Sequence, residues 1–204
     1  MSKKIMSKKI MFNDKYCLTQ AVLNGTKTMT RRVVPQSLLD KYDAWYEDFI
    51  YNPVGEEEYL SVDEYVLKRT AYKVGEVVAI AQRYEEVYPN ADFEMIDGSF
   101  MTESAGWTNK MFVKADLLPH HIRITGVKVE YLQDISDFEC LREGLKVSGN
   151  GRFYFQQMVA YKLSVNRYFD TPREAFAFLI DKISGKGTWE SNPWVVAYSL
   201  ELVD

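Results

Sequence analysis

Residues 24–32, NGTKTMTRR, bring together residue types that can act on an acyl or phosphoryl group. A threonine hydroxyl becomes a nucleophile when a base accepts its proton, and a lysine can be that base when burial or neighbouring cations lower its pKa. Arginines bind developing negative charge or phosphate. A strand that only filled a core would carry Val, Ile or Leu at alternate positions, whereas this segment has only Met29. We therefore predict that it faces either water, as an exposed edge, or a ligand.

The elements before this segment must bend the chain if its side chains are to meet. Apolar positions Cys17, Leu18, Ala21 and Val22 have helical spacing, and Gly25 stands where a left-handed residue ends a helix. In a regular strand, Lys27 and Thr30 would point to opposite faces. A shared site therefore requires a turn or bulge just after Gly25.

The remaining pattern predicts strands separated by short helices and long loops. The predicted helices are 37–50, 136–143 and 171–183, with capping boxes at Ser136 and Thr171, and the aromatic-rich residues 152–168 are also predicted to be helical. The predicted strands are 10–13, 77–81, 120–133 with a bulge or bend at Gly126, and 194–203. Residues 52–73 read as irregular, and residues 88–110 as a long hairpin or loop. This order predicts an α+β domain around a small barrel.

Glu143 occupies an unusual position, in the last turn of the short helix that ends before Gly144. Carbonyl groups converge there, so an exposed carboxylate is unfavourable by roughly 0.3–1 kcal/mol. Such a residue suits proton transfer, although Arg142 beside it could simply offset the cost. Both interpretations, an acid–base residue and a solvated helix end, follow from the residues alone.

Five segments taken in chain order resemble the ASCH family, which belongs to the PUA-like β-barrel superfamily. They are GTKTMTRR, KVGE, RITGVKVEYLQDIS, LREGL and GKGTWESNPWVVAYSLE. The likeness is greatest to ASCH-like proteins of phages and bacterial prophage regions. The resemblance implies a small PUA-like barrel with peripheral helices, and it leaves the acidic residues at about 37–73 as an insertion outside the compact family core.

The same resemblance implies a function that involves RNA or a modified nucleoside. The superfamily is associated with RNA binding, and one compact ASCH group hydrolyses the amide of N4-acetylcytidine with a Lys, a Thr and a Glu. By motif position these catalytic residues fall on Lys27, Thr30 and Glu143. Nearer relatives carry an Arg-Glu pair in the strand after the VG[DE] turn, where this chain has Ala81 and Gln82. The candidate substrate-binding residues are Thr28, Arg31, Arg32 and Gln82.

Three functions fit these residues. The first is hydrolysis of an acylated pyrimidine nucleoside, in which Lys27 activates Thr30 or a water and Glu143 carries the proton. The second is a non-catalytic RNA-binding module in which Lys27, Arg31 and Arg32 contact phosphate. The third is a metal-independent ribonuclease that uses the charge of Lys27, and a phage accessory role is compatible with all three.

Length and composition set the remaining expectations. The 204 residues, 47% hydrophobic, suit one domain over residues 11–204 preceded by a tail-like repeat, MSKKIMSKKI, over residues 1–10. No apolar run reaches the roughly 20 residues that span a bilayer. The lysines of the first residues are followed by no apolar core, so we expect that this segment is not a secretory signal. Two cysteines make no disulfide framework, so we expect a reducing cytoplasm. His120 and His121 lack metal-ligand spacing, and we expect neither metal nor cofactor.

The net charge of −4 argues against a generally basic nucleic-acid binder. Its distribution is uneven. Residues 1–32 hold eight Lys and Arg against one Asp, and residues 33–104 hold five against sixteen Asp and Glu. Any contact with a polyanion is therefore expected to be local and centred on the basic N-terminal segment.

Overall fold

The computed structural model describes residues 8–51, 58–91, 93–95, 98–160 and 163–203. Within them the chain forms a mixed α+β structure with a five-stranded sheet and a three-stranded sheet. The α+β class predicted from the alternation of short helices and strands is confirmed.

The strands are β1 (Lys9–Ile10), β2 (Met29–Val33), β3 (Val77–Ile80), β4 (His121–Tyr131), β5 (Lys146–Val147), β6 (Phe153–Ala160), β7 (Leu163–Phe169) and β8 (Trp194–Leu202). The helices are α1 (Leu18–Leu23), α2 (Gln36–Tyr51), α3 (Val62–Lys68), α4 (Tyr84–Val87), α5 (Asp137–Arg142), α6 (Pro172–Ser184) and α7 (Thr188–Ser191). Among the described residues, none of these helices is long and apolar enough to cross a membrane.

The larger sheet has the strand order β1-β3-β4-β8-β2, with β1 and β2 at its edges. Strands β4 and β8 form its centre, and Ile122, Ile124, Val195 and Leu200 on them are buried. The register shifts between Ile124 and Gly126, which confirms the predicted bulge. Within the described ranges no ladder joins β1 to β2, so the sheet is open there and the PUA-like barrel stays a prediction.

The smaller sheet corrects the helix predicted for residues 152–168. The described residues of this range lie in the antiparallel strands β6 and β7, in which Phe153 pairs with Phe169 and Phe155 with Arg167. Phe153 and Phe155 are two residues apart and therefore share one face of a strand. The prediction of a helix missed this two-residue alternation. On that face Phe155 stacks on Phe169 and on Phe178 of α6, with ring centroids 5.7 and 5.9 Å apart.

Both predicted capping boxes are present, and they fix the two helices nearest the site. Ser136 accepts a hydrogen bond from the Glu139 backbone N–H at the start of α5, and Thr171 accepts one from that of Glu174 at the start of α6. Helix α6 then packs its buried residues Phe176, Leu179 and Ile180 into the main core.

The acidic insertion is more ordered than the pattern indicated. Helix α2 confirms the predicted amphipathic helix, but α3 falls inside a stretch predicted to be irregular. The sequence holds the signal for α3, a capping box of Ser61 and Glu64. The two helices meet through aromatic rings, with Tyr42 edge-on to Tyr65 at 5.3 Å. Residues 52–57 of the predicted irregular stretch lie outside the described residues.

The N-terminal boundary also changes. Residues 1–10 were expected to be a tail, yet Lys9 and Ile10 form β1, which runs parallel to β3. Ile10 is fully buried in the main core, so the domain includes it because its side chain fills that core. Residues 1–7 lie outside the described part of the chain.

Candidate functional site

The turn required between Lys27 and Thr30 is present. Gly25 has φ +74°, and the Lys27 backbone N–H donates a hydrogen bond to the Ala21 carbonyl oxygen, with an N–O distance of 2.8 Å. Lys27 therefore precedes the regular strand β2, which begins at Met29, and forms a single β-bridge with Glu143. Strand alternation does not apply across this turn, so the side chains of Lys27 and Thr30 line the same cavity.

Glu143 reaches the site because α5 ends immediately before it, at Arg142. Gly144 follows with φ +102°, a conformation that favours glycine. A Cβ at Gly144 would stand 3.4 Å from the Cβ atoms of Ala21 and Lys27, so glycine also permits the close approach of the three segments. Gly144, which the sequence predicted as the residue that ends the helix, thus allows the Glu143 carboxylate to contact Lys27.

The Lys27 ammonium and the Glu143 carboxylate form a buried ion pair. Lys27 Nζ lies 2.6 Å from Glu143 Oε2 and also donates to the Glu143 backbone carbonyl at 3.0 Å. The two side chains are only 2% and 4% exposed. Burial lowers the pKa of Lys27 below its usual range; the Glu143 charge opposes that shift, and the cations Arg32 and Arg31 add to it. Because burial destabilises the charged form of the amine, Lys27 gives up the proton of its hydrogen bond to Glu143 more readily than an exposed lysine would.

Arg31 holds the other side of Glu143 and fixes its orientation. Its Nη1 donates to Glu143 Oε1 at 3.1 Å, and its Nη2 lies 2.7 Å from Glu130 Oε1 and 2.9 Å from Glu139 Oε2. The Arg31 side chain has no exposed surface. Arg31 was predicted to bind substrate, but its guanidinium is occupied by these three carboxylates. The structure therefore places it as a support for Glu143.

Lys128 completes this charge network at its outer side. Its ammonium lies 2.7 Å from Glu130 and 2.6 Å from Glu139. Burial alone would raise the pKa of Glu139, but the hydrogen bonds from Lys128 and the Ser136 backbone, together with the charge of Arg31, lower it to about 2. Three cations and three carboxylates therefore balance one another in this network, which consists of Lys27, Arg31, Lys128, Glu130, Glu139 and Glu143.

Thr30 differs from its charged neighbours because its hydroxyl is not engaged. The residue is 5% exposed and lines the cavity, and within the described residues its side chain forms no hydrogen bond. It is not directly bonded to Lys27, so a proton would pass between them through a bridging water or after a small shift.

The cavity, which we call the acyl cavity, has a volume of about 220 Å³. Residues 11–13 and apolar residues of α6 form two of its walls. Its lining residues are Met11, Phe12, Asn13, Leu18, Lys27, Thr30, Arg31, Arg32, Glu143, Phe176, Leu179, Ile180 and Ile183. Arg32 is exposed, donates to the Met11 carbonyl and has no carboxylate partner among the described residues. It therefore gives the otherwise balanced cavity a net positive charge.

Two predicted site residues do not reach the acyl cavity. The Thr28 hydroxyl accepts a hydrogen bond from Arg142 Nε at 3.1 Å, so Thr28 instead anchors the end of α5. The Gln82 side chain is bonded to the His120 ring at 2.7 Å and lies outside the cavity lining. Both were expected to bind substrate, and the structure gives them these structural contacts instead.

Sequence reasoning did not identify two carboxylates of the charge network. Glu130 lies on β4 and Glu139 at the third position of α5, and each reads from the sequence as an ordinary strand or capping residue. The usable signal was the pair of adjacent arginines in β2, because a buried arginine requires carboxylate partners. Within the described ranges no group of three or more His, Cys, Asp or Glu side chains is arranged to hold a metal ion.

Comparisons of the chain with protein-family models, with curated proteins and with solved structures gave no significant match.

Proposed function

We propose that this chain is an ASCH-type amidohydrolase that removes an acyl group from the exocyclic amine of a modified pyrimidine nucleoside, with N4-acetylcytidine as the model substrate. The observation that carries the proposal is that Lys27, Thr30 and Glu143 line one cavity with Lys27 and Glu143 in contact. These three side chains come from a turn, an edge strand and a helix end, so their meeting is a property of the fold.

The chemistry follows from the roles that each group can take. The buried Lys27 ammonium first gives a proton to the Glu143 carboxylate that it contacts, and the resulting amine accepts the Thr30 proton while the hydroxyl oxygen attacks the acyl carbonyl carbon. The carbon–nitrogen bond then breaks, Glu143 gives the proton it received from Lys27 to the departing amine, and Lys27 keeps the proton taken from Thr30. A water next cleaves the acyl-threonine ester, which releases the carboxylic acid and restores Thr30. If water is the nucleophile, Lys27 and Glu143 keep the same roles.

Arg32 is suited to the negative charge that this reaction develops. Within the described residues it is the cavity-lining cation that has no carboxylate partner. A guanidinium at the cavity wall stabilises an oxyanion or binds an anionic part of the substrate. Arg31, which also lines the acyl cavity, and Lys128 orient the carboxylates.

The size and charge of the acyl cavity favour a nucleoside over an RNA strand. Its volume of about 220 Å³ lies below the roughly 300–1,000 Å³ of drug-sized pockets, which suits one small ligand. The RNA-binding alternative needs Lys27 and Arg31 to contact phosphate, but both are buried and paired with carboxylates. The ribonuclease alternative needs the same unpaired Lys27. The PUA-like barrel and a cytoplasmic location remain part of the proposal.

The test is to incubate the purified protein with N4-acetylcytidine and, in parallel, with labelled RNA. We expect release of cytidine and acetate, loss of that release in Thr30→Ala, and retained nucleoside binding by the same variant. Thr125→Ala is the matched control, because Thr125 is an exposed threonine on β4 that lines no described cavity.

Other outcomes assign the site differently. RNA affinity that falls steeply with salt and with Arg32→Ala, without nucleoside turnover, would identify an RNA-binding module. Shortening of the RNA without added metal would identify a ribonuclease.

A further inference from the structure

A second cavity lies beside the acyl cavity and has about 400 Å³ of volume. We call it the insertion cavity, because residues of the acidic insertion and its end form one wall of it. It is lined by Lys9, Met11, Arg32, Val33, Val34, Pro35, Leu38, Val66, Arg69, Thr70, Ala71, Tyr72, Val196 and Tyr198. Met11 and Arg32 line both cavities, which places the two side by side.

The insertion cavity is mainly apolar. Valines of β2 and β8, Leu38 at the start of α2 and Val66 of α3 supply its walls. Tyr72 and Tyr198 pack edge to face with ring centroids 5.4 Å apart. Burial raises the pKa of both tyrosines against the opposing charge of Arg32, so both hydroxyls stay neutral at pH 7. A volume of about 400 Å³ is within the roughly 300–1,000 Å³ of small-molecule sites.

The charged residues of this cavity are all cations. Lys9, Arg32 and Arg69 line it, and none of its lining residues is Asp or Glu. This is unexpected, because residues 33–104 carry sixteen Asp and Glu against five Lys and Arg. Among the described residues, the acidic side chains of the insertion thus do not line the cavity that the insertion helps to form.

Two of the three cations have most of their donors free. Arg69 stacks on the Tyr65 ring, 3.4 Å from its centroid, and donates to the Tyr65 carbonyl, and Arg32 donates to the Met11 carbonyl. Within the described part of the chain, neither arginine has a carboxylate partner. The Lys9 ammonium instead donates to the carbonyls of Met111 and Val113, both at 2.7 Å. A guanidinium has five N–H donors, so Arg32 and Arg69 can each bind an anion.

We propose that the insertion cavity is a second ligand site, and that it binds a small organic anion with an apolar or aromatic body, such as an aryl or short acyl carboxylate, sulfonate or phosphate. The apolar body packs against the valines, Leu38 and the two tyrosines. The anionic group is bound by Arg32 and Arg69. This site adjoins the acyl cavity and shares Met11 and Arg32 with it, but its existence does not depend on the hydrolase activity.

The experiment is a fluorescence titration of the intact protein with 1-anilinonaphthalene-8-sulfonate, an aromatic sulfonate whose emission rises in an apolar site. We expect one site per chain, displacement by decanoate and by phenyl phosphate, and much weaker binding of the neutral analogue N-phenyl-1-naphthylamine. Displacement by only one of the two competitors would identify the preferred anionic group. Removal of one charge-assisted hydrogen bond in Arg69→Gln should weaken sulfonate binding about tenfold.

Variants with matched controls identify the cavity in which the probe binds. Leu38→Trp should fill the insertion cavity and abolish binding, whereas Leu67→Trp, on an exposed α3 residue outside the cavity lining, should not. Arg123→Gln, on an exposed arginine of β4, is the control for charge. Thermal unfolding confirms that each variant is folded.

Three results would overturn the proposal. Equal affinity for the neutral and anionic probes would show that charge is not recognised. An Arg69→Gln variant that binds like Arg123→Gln would exclude Arg69 as the anion ligand. Loss of binding in Ile183→Trp, which narrows the acyl cavity, with no loss in Leu38→Trp would place the probe in the other cavity.

Discussion

At the scale of single residues, Glu143 is central because two buried cations share its carboxylate. Lys27 binds one oxygen and Arg31 the other, and all three side chains are at most 4% exposed. Charged groups at this depth are stable only while each is paired, since removal from water costs several kcal/mol per ion. The same arrangement that could move protons therefore also contributes to folding.

Lys27→Met should destabilise the protein by about 3 kcal/mol, because it leaves Glu143 with one of its two cations. Urea unfolding followed by circular dichroism measures this loss. Lys186→Met is the control; Lys186 is exposed and forms no ion pair within the described residues, so its free energy of unfolding should change by less than about 0.5 kcal/mol. Equal stability of the two variants would show that the buried pair contributes nothing.

Glu139 should make the free energy of unfolding depend on pH in the acidic range. Its pKa in the folded protein is about 2, below the ordinary value of 4.5, so its contribution is present above pH 4.5 and is lost as the pH falls towards 2. Glu139→Gln should be less stable than wild type at pH 7, and the difference should shrink over that range. Urea unfolding at a series of pH values measures it.

The control for this prediction is Glu174→Gln, the same change in the capping box of α6, because Glu174 has no cationic partner among the described residues. The difference in free energy of unfolding between wild type and Glu174→Gln should depend less on pH than the difference between wild type and Glu139→Gln. A constant difference for Glu139→Gln from pH 7 to pH 2 would contradict the role given to Arg31 and Lys128.

At the scale of elements, the site depends on where helices stop. Gly25 ends the turn before Lys27, and Gly144 follows Glu143 with φ +102°. Gly144→Ala should lower the free energy of unfolding by about 1–3 kcal/mol, since it forces a left-handed backbone on alanine and brings a Cβ against Ala21 and Lys27. Thermal or urea unfolding measures the effect.

Gly149→Ala serves as the comparison for that substitution. Gly149 has no positive φ, and a Cβ there would meet nothing within 4 Å. The change should be neutral or slightly stabilising, because alanine reduces the entropy of the unfolded chain. If Gly144→Ala were equally neutral, the close approach of α5 to Lys27 would not require glycine.

The elements that sequence reasoning predicted well are those with local chemical signals. Ser136 and Thr171 mark helix starts, Gly144 marks a stop, and the alternation of β4 marks a strand. Strands β6 and β7 were missed because their aromatic residues fit a helical spacing as well as an alternating one, and only pairing with a neighbouring strand decides between them. Such pairing is not local.

The site residues also differ in whether a local signal in the sequence could predict them. Lys27, Thr30 and Glu143 were proposed from motif position, and the turn that brings them together was required by strand alternation. Their contact with Arg31, and through it with Glu130 and Glu139, depends on three separate elements meeting. Spacing along the chain carries no information on that contact. The same reason explains why Thr28 and Gln82 were placed in the site although they pack elsewhere.

At the scale of the whole molecule, the charged residues are unevenly distributed. The protein is net acidic, with −4 overall, yet both cavities contain an arginine without a carboxylate partner among the described residues, and Arg32 is common to the two. An acidic exterior repels polyanions, whereas local cations at a cavity attract small anionic or polar ligands. This distribution favours a nucleoside-sized ligand over a nucleic-acid strand.

The most direct test is a kinetic double-mutant cycle on cytidine release from N4-acetylcytidine, with wild type, Thr30→Ala, Glu143→Gln and the double variant. We expect each single variant to lose about 100-fold or more in kcat. The double variant should lose little more than the worse single one, because the two groups act in the same step. No cytidine release by the wild type, or losses that simply multiply in the double variant, would contradict a shared hydrolytic site.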